Sequence, residues 1–434
     1  MKLLVVVQRY GAAINGGAEL HARHLAEHLA RFADVRVLTT CAKDYITWRN
    51  ELPPGETELD GIPVERFPVA QEREMLDFAR RSRTVFGAEH SVADELAWMD
   101  SQGPTSPALV NRVRALRHTC DFALFFCARY YPAFYGCRAV PEKAVLVPTA
   151  EREPSMGLAV VGQVFRGVRA VMYNSPEERA MVEDLTGNQS VPGTVVGVGI
   201  DVDRRGDPAR FRARYGVTGP CLVYVGRVDR NKGCAELFEY FLSLVRTMPA
   251  APTLVLIGAA VMPVPDHPRI RHLGFVSDEE KFDAIAAATA LVMPSPFESL
   301  SMVVLEAWAQ ARPVLVNGRC EVLRGQCLRA NGGLFYDTRE EFAAALRLLL
   351  EDTPLATALG RNGQQYCRRE YAWPVIERKY QSMLEALSRE PAPSPARMAP
   401  LPGWFARRRR NLPAAATRVA AAATSLEAGQ ERYS

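Results

Sequence analysis

The sequence predicts an α/β protein of two doubly wound, parallel-sheet domains, and three observations carry that expectation. Short apolar runs alternate with amphipathic stretches along most of the chain, the pattern of parallel strands joined by crossover helices. The 434 residues exceed one ordinary core, and 48% hydrophobic with 24% charged is a globular balance, so two domains are expected. Glycine loops follow a predicted strand in each half, where phosphate-bearing ligands of open α/β sheets bind.

In the first half, strands are expected over 3–8, 34–38, 122–126 and 144–147, and a helix over 18–30. The opening Met-Lys-Leu-Leu-Val-Val-Val is too short for a signal peptide and runs straight into a glycine loop, so it reads as the first buried strand. Gly16 and Gly17 join that strand to the helix, a place where backbone can approach a phosphate closely. His21, His24 and His28 share one helical face, but no carboxylate or thiol completes a ligand set with them, and no metal is expected there. Segment 71–118 is basic and helical, with Arg80, Arg81, Arg83, Arg112 and Arg114. The second half repeats the alternation, with strands over 221–225, 253–257, 290–293 and 313–316. Helices are expected near 235–247, 279–288, 300–310 and 340–351, and a last one over about 373–387.

Composition narrows the function classes. The nine cysteines are scattered without a Cys-x-x-Cys pair, so neither a disulfide framework nor a zinc site is expected and a reducing cytoplasm fits best. No apolar run approaches the roughly 20 residues of a membrane span. The net charge is +4, yet the segment from Arg389 onward carries eight arginines against three glutamates, so the excess basicity belongs to the tail. That tail, 389–434, is Pro/Ala/Arg-rich and expected to be a disordered, solvated end. Trp404 and Phe405 beside Arg407, Arg408, Arg409 and Arg410 also suit a peripheral contact with anionic lipid at the inner face of the membrane. Nucleic acid is not expected as a partner, because the basicity is confined to this segment and no recognition motif accompanies it.

The chemistry concentrates at Glu298 and Glu306, eight residues apart across a predicted helix start. At about 1.5 Å per residue they span roughly 12 Å, whereas carboxylates sharing one scissile glycosidic bond stand about 5–9.5 Å apart. Such a pair suits a ligand gripped at two ends, a sugar at one acid and a ribose at the other. A diphosphate would then face the helix N-terminus, where Leu300 and Ser301 offer backbone N–H groups. Glu306 lies among Leu305, Ala307 and Ala309, and an acid in so apolar a helix needs a partner or a ligand. Gly226, Arg227 and Lys232 follow the strand 221–225, and two positioned cations neutralise a departing diphosphate without a metal. Phe275 and Val276 precede the acidic helix start at 277–280, which reads as a strand end before an N-cap at Ser277. The segment Gly197-Val198-Gly199-Ile200-Asp201 lacks the third glycine and helix start of a dinucleotide fingerprint.

These residues resemble a known family. The Glu298-x7-Glu306 pattern with its following Ala-Trp-Ala-x-Ala-x-Pro-Val stretch is similar to the signature of retaining glycosyltransferase family 4. Asn15-Gly16-Gly17-Ala18-Glu19, Tyr173-Asn174-Ser175-Pro176-Glu177-Glu178, Gly226-Arg227 to Lys232-Gly233 and Gly332-Gly333-Leu334-Phe335 fall in that family's usual order. The resemblance implies the GT-B fold, two Rossmann-like domains facing a cleft: an acceptor-side domain over 1–170, a nucleotide-sugar domain over 171–370, and a crossover helix over 371–388 returning to the first. It places Glu298 near the donor sugar hydroxyls, Arg227 and Lys232 on the diphosphate, Glu306 on the ribose and Phe275 and Val276 along the base, and it implies neither metal nor cofactor. The implied activity is transfer of a hexose from a nucleoside diphosphate sugar, with retention, to a glycan or lipid-linked glycan acceptor in cell-surface polysaccharide or lipopolysaccharide synthesis.

The chain departs from the family on the acceptor side. Cys127-Ala128-Arg129-Tyr130-Tyr131 stands where many relatives carry a histidine, and Glu151-Arg152 where relatives often have His-Asp. Arg129, Tyr130 and Glu151 are the acceptor-side candidates. A non-catalytic sugar-nucleotide binder of the same fold and, less favoured, a Rossmann dehydrogenase are the competing readings.

Overall fold

The computed structural model describes residues 1–391 except Asn15, Ala88 and Pro249, together with Val419 and Ala422. Almost all of the 389–434 tail, with its lipid-binding reading, lies outside the described residues. The chain divides into two compact units. The first holds Met1–Asn174, Arg179–Val195 and the described residues from Met383 onward, and the second Ser175–Glu178 and Val196–Ser382.

The first unit is built on a sheet of β1 (Lys2–Val6), β2 (Asp34–Thr40), β3 (Gly55–Leu59), β4 (Ile62–Phe67), β5 (Phe122–Phe126), β6 (Ala144–Val147), β7 (Ala170–Tyr173) and β8 (Gly193–Val195), in the spatial order β3-β4-β2-β1-β5-β6-β7-β8. Every pairing is parallel except β3 with β4. The central strands β5 and β6 are buried at every position, which is why they are unbroken apolar runs rather than alternating ones. Leu4, Val6, Phe125, Leu146 and Val171 pack there with Trp98, Phe134 and Phe165 from the covering helices. The β3–β4 hairpin turns at Asp60-Gly61, both at positive φ (52° and 77°), the geometry of a type I′ turn. Because β8 pairs with β7 through Val171, Met172 and Tyr173, the first unit continues to Val195, beyond the limit of 170 expected from the sequence.

The second unit has a wholly parallel sheet of β9 (Cys221–Val225), β10 (Thr253–Ile257), β11 (Ile270–Gly274), β12 (Ala290–Met293), β13 (Val314–Asn317) and β14 (Gly333–Tyr336), in the order β11-β10-β9-β12-β13-β14. Two of its helices begin with reciprocal capping boxes, Ser277 with Glu280 and Thr338 with Glu341. The Gly332-Gly333 pair has a packing reason: the Trp308 indole N–H donates to the Gly332 carbonyl at 2.8 Å, and a Cβ on Gly332 would stand 2.7 Å from that nitrogen. The last helix, Trp373–Arg389, belongs to the second unit up to Ser382 and to the first from Met383. Among the described residues no helix is long and apolar enough to cross a membrane.

Each sheet reverses its strand order once, between β1 and β5 in the first unit and between β9 and β12 in the second. Loops leaving the carboxyl ends of two such neighbouring strands diverge, and the crevice they open is where doubly wound sheets take ligands.

Candidate functional site

In the second unit the loops at this reversal are 226–233 after β9 and 294–301 after β12. Gly233 lets the two press together. Gly226 and Gly233 have φ of 152° and 75°, and a Cβ on Gly233 would stand 2.1 Å from the Pro294 carbonyl oxygen. Across this contact Lys232 Nζ donates to Glu298 Oε1 at 2.9 Å, so two of the three residues expected to be catalytic, Glu298, Arg227 and Lys232, meet. Glu298 is not on the helix: that helix starts only at Met302, and the four preceding residues are irregular, so less of the interval between the two acids is helical than the spacing implied. Ser301 is the buried N-cap, and its side chain makes no cap hydrogen bond. The N–H groups of this first turn have no intrahelical acceptor and form the positive end of the helix dipole. Arg227 pairs with Asp229 at 2.7 Å, and Asp229 also caps the short 3-10 turn Arg230–Lys232 through the Asn231 N–H. Asp229 thus fixes the shape of this loop.

Glu306 is buried, and one turn of chain chemistry surrounds it. Lys281 Nζ donates to its Oε1 at 2.8 Å and also reaches Asp278 at 3.1 Å. Burial pushes the Glu306 carboxyl up, with Lys281 pulling it back. For Lys281, burial works against the charge, but Glu306 and Asp278 outweigh it and hold the ammonium above its usual range. Glu306 Oε2 is buried with no hydrogen-bond partner. Lys281 was not singled out from the sequence, because a lysine in the first turns of an acidic helix is unremarkable without knowing what faces it. Phe275 is 71% exposed just after β11, and Gly274, at φ 69°, gives its carbonyl to the Gly258 N–H at 2.8 Å, turning Phe275 and Val276 away from the sheet.

In the first unit the reversal gathers Gln8 after β1, Cys127 after β5 and Thr149 after β6. The Gln8 amide donates to Glu19 at 2.9 Å and to Cys127 Sγ at 3.4 Å, and Thr149 Oγ donates to the same sulfur at 3.1 Å. Arg9 completes the cluster with a 2.7 Å ion pair to Glu19. Cys127 and Thr149 both have positive φ, 62° and 46°, a conformation that costs a non-glycine residue about 1–3 kcal/mol. Burial pushes the Cys127 thiol up to about 12, so it stays protonated. Gly16 has a local reason to be glycine: a Cβ there would stand 2.0 Å from Glu19 Oε2. Gly17 has open space around its Cα. Arg129 pairs with Glu153 at 2.6 Å, donates to the Tyr130 hydroxyl at 3.4 Å and lies 5.1 Å over the Tyr130 ring, which also meets Trp48 in T-shaped geometry at 5.3 Å. Of the three acceptor-side candidates Tyr130 is buried, whereas Arg129 and Glu151 are only partly buried. Of the three helix histidines, His21 is buried against Phe126.

Residues 219–352, inside the second unit, match the family described as Glycosyl transferases group 1. The second unit carries a group 1 glycosyltransferase domain. The chain is also 26% identical over 410 residues to a glycogen synthase of Mycobacterium tuberculosis, covering 87% of this chain and 92% of that protein. Among solved structures, sucrose-phosphate synthase from Thermosynechococcus elongatus superposes with a TM-score of 0.67 at 16% identity, covering 89% of this chain and 99% of that one. The Anabaena protein HepE, solved in complex with UDP and glucose, gives 0.65 at 18% identity over 89% of this chain and 100% of its own. The fold is GT-B, in agreement with the class expected from the strand and helix pattern.

Proposed function

We propose that this glycosyltransferase moves a hexose from a nucleoside diphosphate sugar to a glycan or lipid-linked glycan acceptor, with retention of anomeric configuration and without a metal. The carrying observation is the 2.9 Å contact of Lys232 with Glu298 at the strand reversal of the second unit, beside an uncapped helix N-terminus. These groups supply what the transfer needs: a carboxylate for the sugar hydroxyls, and cations with a helix dipole for the charge that grows on the departing diphosphate. Arg227 is the second cation, and Glu306 takes the ribose. The acceptor proton is accepted by the departing phosphate oxygen on the same face, so no protein base is required. HepE was solved with UDP and glucose and the mycobacterial relative is a glycogen synthase; both support the donor and acceptor classes. Nine free thiols suit a reducing cytoplasm.

Titration with UDP, ADP and GDP, each in the presence of EDTA, tests donor binding through the rise in melting temperature, since a ligand at 100 times its Kd stabilises by about 2.7 kcal/mol. A rise with one of the three is expected. NMR of the transfer product from the matching α-linked sugar nucleotide should then show an α linkage. No rise with any nucleotide, or a β-linked product, would overturn the proposal.

A further inference from the structure

Resting on the donor-site reading above, we infer that Lys281 is the positioning residue for ribose recognition: it holds Glu306 by one oxygen and leaves the other aimed at the ribose hydroxyls. Three observations converge on it. Glu306 is one-sided, with Oε1 taken by Lys281 at 2.8 Å and Oε2 buried without a partner. A buried carboxylate oxygen left unsatisfied is costly, and a vicinal diol offers the O–H donors that would satisfy it. Lys281 is itself immobilised. Its ammonium lies 3.1 Å from Asp278, which pairs with Arg204 at 3.3 Å, and the ammonium and the Arg204 guanidinium stand 4.9 and 4.2 Å from the Phe282 ring centroid. The two arms of the site also meet through it. Lys281 sits in the first turns of the helix Asp278–Ala287, directly after Phe275 and Val276, while Glu306 belongs to the helix Met302–Ala309. The ammonium therefore sets the distance from the base-side segment to the ribose carboxylate.

A purely structural ion pair makes a different prediction, because its loss weakens every ligand of the site alike. The test is calorimetric titration of UDP, ADP and GDP, each beside its 2′,3′-dideoxy counterpart, against the wild type, K281M and K281R. The wild type should prefer the ribonucleotide at least tenfold. K281M should lose at least tenfold for the ribonucleotide and less than twofold for the dideoxy form, and K281R, which keeps a charged donor, should recover most of the preference. Equal weakening of both forms, or no weakening, overturns the inference. Should K281M fail to fold, K281Q is read by the same ratio, since it keeps a donor but not the charge. A wild type that binds none of the three nucleotides overturns the donor-site reading itself; one that binds a nucleotide without favouring the ribo form overturns only the role of Lys281.

Discussion

Glu298 and Lys232 are each other's counter-ions, and that pairing makes E298Q informative. The pair is partly exposed, 14% and 31% for the two side chains, so its loss should change stability by less than about 1 kcal/mol. Loss of one preorganised hydrogen-bonding group that acts in a transition state costs about 10²–10³ in kcat, and the proposed function gives Glu298 such a role. Transfer by E298Q should therefore fall at least a hundredfold with the melting temperature nearly unchanged, and retained transfer would remove Glu298 from catalysis. His21 belongs to stability instead. Burial pushes its imidazole from 6.5 down to about 3, with His24 adding to the shift, so the folded protein keeps it neutral while the unfolded chain protonates it. Its contribution is complete above pH 6.5 and is lost as the pH falls toward 3, at up to about 1.4 kcal/mol per pH unit. H21L should flatten the acid limb of a urea-unfolding series between pH 7 and 4; parallel curves for the two proteins would contradict this. Residues of this scale were only partly legible. Glu298 and Glu306 stood out because acids in an apolar stretch are conspicuous, whereas Lys281 had no signal until its partner was placed opposite it, and burial of Tyr130 depends on Trp48, 82 positions earlier in the sequence.

Strands and loops followed a simple physical rule. Strands buried on both faces, such as β5, β6, β9 and β12, are continuous apolar runs and could be read directly. The edge hairpin β3–β4 could not be read from apolarity, because Gly-Glu-Thr-Glu-Leu is almost wholly exposed; its turn pair Asp60-Gly61 was the one available signal. β8, three residues long and half-buried, offered none. Loop geometry carries its own prediction. Gly233 combines a φ of 75° with a Cβ position 2.1 Å from backbone, so G233A must both strain the chain, at about 1–3 kcal/mol, and part the 226–233 loop from 294–301. The variant should unfold at lower urea and bind the nucleoside diphosphate more weakly than its fraction folded explains. Unchanged affinity would mean that the apposition of these loops does not shape the donor site.

At the scale of the whole molecule, the first unit contains both early and late chain, and most of the second unit's sequence, Val196–Ser382, runs between them. Leu384 and Leu387 of the last helix are buried, and Arg169 donates to the Leu387 carbonyl at 2.8 Å. L384A should cost about 2–5 kcal/mol, and hydrogen exchange should rise in peptides of the first unit rather than in β9–β14. A rise confined to the second unit would show that this helix end stabilises the other body.

That arrangement bears on how the protein is made. A ribosome adding about 5–20 residues per second releases β1 to β8 long before it reaches Met383. The second unit has its whole sequence outside the exit tunnel first, although its synthesis starts later. For roughly ten to forty seconds the first unit waits without Leu384 and Leu387, an unfinished core exposed to chaperones, and the nascent chain completes its oldest unit last.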